Sequence, residues 1–144
     1  MYRAPELLDT WANYPVDTKA DIWACGCLLF VLCFHYHPFE DSAKLAILNG
    51  NYKIPPHDTT YTMFHDLLRQ MLTVDPTLRP DSNQVLQHLT GISLSHGIDP
   101  TLVSSKFLSA LLIMCLHKYH EKWRYLFYLF PELTSIILCY ISGN

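Results

Sequence analysis

A chain of 144 residues is long enough to bury one core of ordinary size and too short for two full domains. Half of its residues are hydrophobic, 16% are charged and the mean hydropathy is +0.11, richer in apolar groups than a typical soluble domain. The formal charge of −3 falls as 6 Lys and Arg against 10 Asp and Glu up to Thr90, and 4 against 3 beyond it; with no basic stripe, this balance argues against a nucleic-acid partner.

The start of the chain shows Tyr2, Arg3 and Glu6 where a secretory signal would place a charged start and an apolar run, so a cytoplasmic location is expected. Residues 22–34, IWACGCLLFVLCF, carry no charge and no proline and are apolar on every face of a helical wheel, which predicts a helix buried all round. Asp21 stands at its start, where a carboxylate can accept free backbone N–H groups and meets the positive end of the helix dipole. His37-Pro38-Phe39 is expected to end this helix, and Glu40-Asp41-Ser42 to cap a short second one, holding Leu45, Ile47 and Leu48 and stopped by Asn49-Gly50. Residues 51–60, with Pro55-Pro56, read as loop. Phe64, Leu67, Leu68, Met71 and Leu72 recur at i, i+3, i+4, i+7 and i+8, the clearest amphipathic helix, with Asp75-Pro76 as its breaker. After Arg79-Pro80, either Asp81 or Ser82 can cap a helix that buries Val85, Leu86 and Leu89.

Beyond Gly91 the character changes. Residues 91–105 read as a polar connector, and 106–144 as an apolar tail, helical in its first run at 107–116. That run is about half the ~20 apolar residues a membrane span requires, and the second run, 125–141, is interrupted by Pro131-Glu132, so membrane contact through the tail is not favoured. Five cysteines, Cys25, Cys27, Cys33, Cys115 and Cys139, are an odd number, three of them in one apolar run; buried free thiols explain them better than disulfides. His35 with His37, and His117 with His120, have spacings that could seat a metal, but neither pair has a third ligand in a usual zinc pattern, so no metal is expected.

Four stretches in order carry a resemblance: Ala4-Pro5-Glu6, then Asp21-Ile22-Trp23-Ala24-Cys25-Gly26 in a D-x-W-x-x-G pattern, then Pro38-Phe39, then Asp75-Pro76-Thr77-Leu78-Arg79-Pro80. Together they resemble successive landmarks of a protein-kinase C-terminal lobe, and the finer text between Pro38 and Leu72 is similar to the cyclin-G-associated type within the Numb-associated family of Ser/Thr kinases. The resemblance covers Met1 to about Leu89 and fades through Pro100, so that residues 1–90 read as a partial C-terminal lobe, and the tail does not share it.

What the resemblance implies is a mainly α fold, the helical C-terminal subdomain of a kinase-like domain lacking the N-terminal lobe, with a hydrophobic helical tail. Met1, Tyr2 and Arg3 would belong to the substrate platform, and Glu6 would pair with Arg79 beneath it. Asp21, with Trp23 and Gly26, would anchor the catalytic loop, and Leu28 and Leu32 would support the hydrophobic column under the adenine. The parent family uses ATP and Mg²⁺, takes clathrin-adaptor subunits as substrates and works at clathrin-coated vesicles or perinuclear membranes. The glycine-rich loop, the V-A-I-K-like lysine, the H-R-D loop and D-F-G are not found in these 144 residues, so catalytic residues and cofactors are expected to be none for this chain and its partners to include the missing upstream kinase segments. The other readings are a non-catalytic interaction module and a membrane-associated truncated product.

Overall fold

The computed structural model describes residues 2–9, 11, 14, 16–39, 44–97 and 99. These fall within one compact unit, Met1–Pro100. The tail at 106–144, with His117, His120, Cys115 and Cys139, and the acids Glu40-Asp41-Ser42 lie outside the described residues. Five helices follow in chain order, with no strand among the described residues: α1 (Pro5–Leu8), α2 (Lys19–Phe34), α3 (Lys44–Leu48), α4 (Thr62–Met71) and α5 (Ser82–Ser95). None of them is long and apolar enough to cross a membrane.

The core is built on α2. Helix α2 packs on α4, and α4 in turn on α5; Ile22, Trp23, Cys25, Cys27, Leu29, Phe30 and Cys33 of α2, Leu67, Leu68, Met71 and Leu72 of α4 and its end, and Val85 and Leu89 of α5 are buried. Gly26 sets how closely α2 and α4 approach, since a Cβ there would lie 2.9 Å from Met71 Cβ and 3.0 Å from Leu72 Cδ2. At the far end of α2, Phe30 meets Phe34, Tyr36 and Tyr52 edge to face at centroid distances of 4.7–6.1 Å.

Two expectations about α2 need correction. The α2 helix is not buried all round: Asp21, Ala24, Leu28, Val31 and Leu32, spaced i, i+3, i+7, i+10 and i+11, form one half-buried stripe. Nor does Asp21 cap it. Asp17, at the turn before the helix, accepts the Lys19 N–H at 2.7 Å, and Asp21 is the third helical residue. The helix ends at Phe34, the last residue of the expected run and ahead of His37-Pro38; His35 adopts a left-handed conformation (φ 63°) there while its N–H closes onto Val31 C=O at 2.8 Å.

The remaining elements follow local chemistry. Asn49-Gly50 ends α3 in a Schellman arrangement: Gly50, at φ 58°, donates to Ile47 C=O at 3.1 Å and Asn51 to Ala46 C=O at 2.7 Å. Asp58 accepts the Tyr61 N–H at 3.0 Å and pairs with His65 at 2.8 Å, fixing the loop to the start of α4. Asp81 and Gln84 form a reciprocal capping box, each bond 2.9 Å, at the start of α5. That helix runs through Gly91 to Ser95, so the first five residues of the expected connector are helical: burial of Ser93 on the same helix accompanies a glycine that costs about 1 kcal/mol.

Candidate functional site: the Glu6–Arg79 bridge and the open face of α2

Residues 2–4 run extended into α1, which begins with Pro5 at a position where a missing N–H costs nothing. This places Glu6 in the first turn, directed inward and 4% exposed. Arg79, 1% exposed, approaches from the turn between α4 and α5, which Asp75 shapes by accepting the Thr77 N–H and hydroxyl at 2.8 and 2.7 Å. Those two bonds hold the Asp75 carboxyl below its ordinary range.

All five guanidinium N–H groups of Arg79 find acceptors. Nη1 donates to Glu6 Oε1 at 2.8 Å and to Lys19 C=O at 2.6 Å. Nη2 donates to Glu6 Oε2 at 3.1 Å and to Val74 C=O at 3.2 Å, and Nε to Thr73 C=O at 3.0 Å. The cation also lies 5.2 Å from the ring centroid of Trp23, whose other neighbour, Phe39, stacks at 5.5 Å and 9°. One side chain thus joins α1, the first turn of α2 and the segment after α4. The parallel two-bond fork to Glu6 is a geometry that lysine cannot make.

The sequence-predicted residues divide into three groups in space. Glu6 and Arg79 are brought together, with Trp23 packed under them. Asp21, Leu28 and Leu32 share the half-buried stripe of α2. Gly26 faces α4 and Trp23 the core, so neither stands on that stripe with Asp21. Met1 lies outside the described residues, Arg3 is exposed, and Tyr2 is half-buried with its ring edge-on to His37 at 4.7 Å. Burial, with a smaller contribution from the Cys27 thiol, raises the Tyr2 pKa.

Among the described residues no group of three metal-ligating side chains forms. His35 is exposed, whereas His37 is buried, accepts the Phe39 N–H on Nδ1 at 3.1 Å and has its pKa lowered by desolvation. Cys25, Cys27 and Cys33 are buried, and the thiols of Cys27 and Cys33 are free. Sequence reasoning missed Asp17 and Lys19: Asp17-Thr18 ahead of an apolar run is a capping signal that could have been read, while nothing in the pattern marks Lys19.

The protein kinase domain family matches residues 1–89, which hold every residue of this site. A probable serine/threonine-protein kinase of Dictyostelium discoideum is 45% identical over 91 residues, covering 63% of this chain and 11% of that protein. Another from the same organism is 41% identical over 108 residues, 75% of this chain and 10% of the relative. Actin-regulating kinase 1 of Saccharomyces cerevisiae is 39% identical over 89 residues, 62% of this chain and 14% of the yeast protein. The chain therefore spans between 10% and 14% of the length of these curated relatives.

Proposed function

The chain belongs to the protein kinase domain family, and from that premise we propose that it supplies the substrate platform and central anchor of a Ser/Thr kinase C-terminal lobe of the cyclin-G-associated type. The observation that carries the reading is the unequal burial of α2. Its stripe Asp21, Ala24, Leu28, Val31 and Leu32 stays half-open on a helix that is otherwise core. An apolar stripe headed by a carboxylate suits a neighbouring backbone segment: Leu28 and Leu32 supply contact area, and Asp21 accepts N–H groups. In this reading that segment is a kinase catalytic loop, and residues 2–6, tied down through Glu6 and Arg79, carry the substrate side.

The motifs that position ATP and Mg²⁺ in the family are not found in residues 1–144, so the chain acts together with upstream kinase segments and binds no nucleotide by itself. The proposed substrates are clathrin-adaptor subunits. The name of the yeast relative, actin-regulating kinase 1, favours a second reading, in which the substrates belong to actin regulation.

Co-expression of the chain with the kinase segment that precedes the matched region in the Dictyostelium relative tests this proposal. Transfer of labelled phosphate to a clathrin-adaptor subunit, reduced by Asp21→Asn, is the expected result. Association without transfer to any Ser/Thr substrate would refute the kinase reading and favour a non-catalytic interaction module; transfer to an actin regulator alone would select the second reading. Thermal stabilisation of the isolated chain by Mg-ATP would contradict the absence of a nucleotide site.

A further inference from the structure

Lys19 belongs to none of the landmarks above, yet it touches Arg79 twice. Its Nζ donates to the Arg79 carbonyl, and its own carbonyl accepts from Arg79 Nη1 at 2.6 Å. Each residue thus uses its side chain on the other's main chain, across 60 positions of sequence. The two bonds have different consequences. The guanidinium bond fixes the first turn of α2 to the tip of the Arg79 side chain; the ammonium bond fixes the backbone from which that side chain springs. Two bonds of opposite direction resist rotation where a single bond would act as a pivot.

Lysine ordinarily keeps its ammonium in water and buries only its stem. Here the residue is half-buried and its ammonium goes to a main-chain carbonyl, a charge-assisted bond with a defined direction. The nearby carboxylate of Asp17 accepts the Lys19 backbone N–H at 2.7 Å. Asp21 follows two residues later on the same turn, its N–H bonded to Thr18 C=O at 3.1 Å.

We propose that Lys19 is a positioning residue that joins residues 2–8 and the first turn of α2 into one mechanical unit through Arg79, so that opening either one opens the other. The joint itself stands on these bonds; its meaning, that the substrate platform and the Asp21 anchor are set together, rests on the kinase reading above.

Amide hydrogen exchange on the full chain tests this inference. Lys19→Met keeps the apolar stem and removes the ammonium, and Lys19→Arg restores a charged donor. In Lys19→Met the amides of Leu7 and Asp9 in and after α1, and of Asp21 and Ile22 in α2, are expected to exchange about tenfold faster together, while Leu72 at the end of α4 stays within about twofold. Lys19→Arg is expected to return the first group towards wild type. Uniform acceleration, acceleration confined to Asp21 and Ile22, or no change would each overturn the proposal. If Lys19→Met proves insoluble, ¹⁵N detection of the wild-type Lys19 ammonium decides: a resolved, slowly exchanging resonance supports the bond, and a freely exchanging one overturns it. Failure here leaves the kinase reading intact, because that reading stands or falls on phosphotransfer, whereas failed phosphotransfer leaves this exchange pattern expected.

Discussion

Glu6→Ala isolates what burial does to an ion pair. The substitution leaves Arg79 over Trp23 with Thr73, Val74 and Lys19 carbonyls on three of its five N–H groups, and removes the only carboxylate bonded to it among the described residues. Two charge-assisted bonds of about 1.5–3 kcal/mol each disappear, which agrees with the ~3–5 kcal/mol for breaking a buried pair. A domain stable by about 5–15 kcal/mol loses a large fraction of its margin. For a unit of this size the melting temperature should fall by about 12 °C or more. Urea unfolding followed by circular dichroism measures the loss directly. The internal control is Arg69–Asp66, where N and O lie 2.7 Å apart but the side chains are 58% and 79% exposed. Asp66→Ala should cost under ~1 kcal/mol, although the pair is no longer in distance than the buried one. A loss of similar small size for Glu6→Ala would refute the reasoning, since it would mean that Arg79 recovers water or another anion when its partner is removed. Arg79→Lys should be nearly as damaging as Glu6→Ala, because an ammonium keeps the charge but cannot fill five acceptor positions in a plane.

Gly26→Ala gains about 1 kcal/mol of helix propensity but drives a Cβ to 2.9 Å from Met71 Cβ, which is not a flexible end, so a net loss of about 1–3 kcal/mol is expected in the same urea assay. His35→Gly relieves a left-handed conformation at an exposed helix end and should raise stability by about 0.5–1 kcal/mol, read as an upward shift of the urea midpoint. Burial pushes the Cys27 and Cys33 thiols up to about 12 from an ordinary 9.0; because the folded pKa is the higher one, their contribution is intact below pH 9 and is lost as pH rises from 9 towards 12, with a slope of up to about 1.4 kcal/mol per pH unit for each thiol. Unfolding midpoints measured under reducing conditions from pH 8 to 10.5 should fall in wild type and fall less steeply in Cys33→Ala. For His37 the sign is opposite, since burial lowers its pKa from 6.5: the unfolded chain takes up the proton first, and stability should decline as pH falls below about 6.5.

The parts of the fold that could be read from sequence are those where side-chain identity carries the physics. The α4 pattern at Phe64, Leu67, Leu68, Met71 and Leu72 reports a single face, and the last four are buried while Phe64 is half-buried. Asn49-Gly50 and Asp81 declare a helix end and a helix start because their special conformations or acceptors belong to those residue types. The apolar run placed the end of α2 at Phe34, but not the residue that turns the chain there. Left-handed backbone is uncommon for residues other than glycine, and although histidine adopts it more often than most, nothing in the residue pattern singles out His35 from the positions before Pro38 at which the chain can turn. The half-open stripe of α2 was hidden, because composition makes all faces of residues 22–34 look equivalent and only the placement of the elements packed on it, α4 above all, distinguishes them.

The same division runs through the site. Glu6 and Arg79 can be paired from sequence through a family landmark, since a carboxylate and a guanidinium announce themselves. The other three acceptors of Arg79 are the carbonyls of Lys19, Thr73 and Val74, and every residue in the chain has a carbonyl. Their role is therefore invisible in sequence and independent of side-chain type. The Thr73 hydroxyl donates to Arg69 C=O at the end of α4, and Val74 Cγ2 lies 2.8 Å from where a Gly50 Cβ would stand, in the turn after α3, so these side chains serve other contacts while their backbones serve Arg79. Lys19 differs from both because it contributes its side chain as well as its carbonyl. A substitution at Thr73 or Val74 can leave the bridge standing provided the turn keeps its path, whereas one at Lys19 that removes the charged donor, such as Lys19→Met, removes a bond that no change of backbone path can replace.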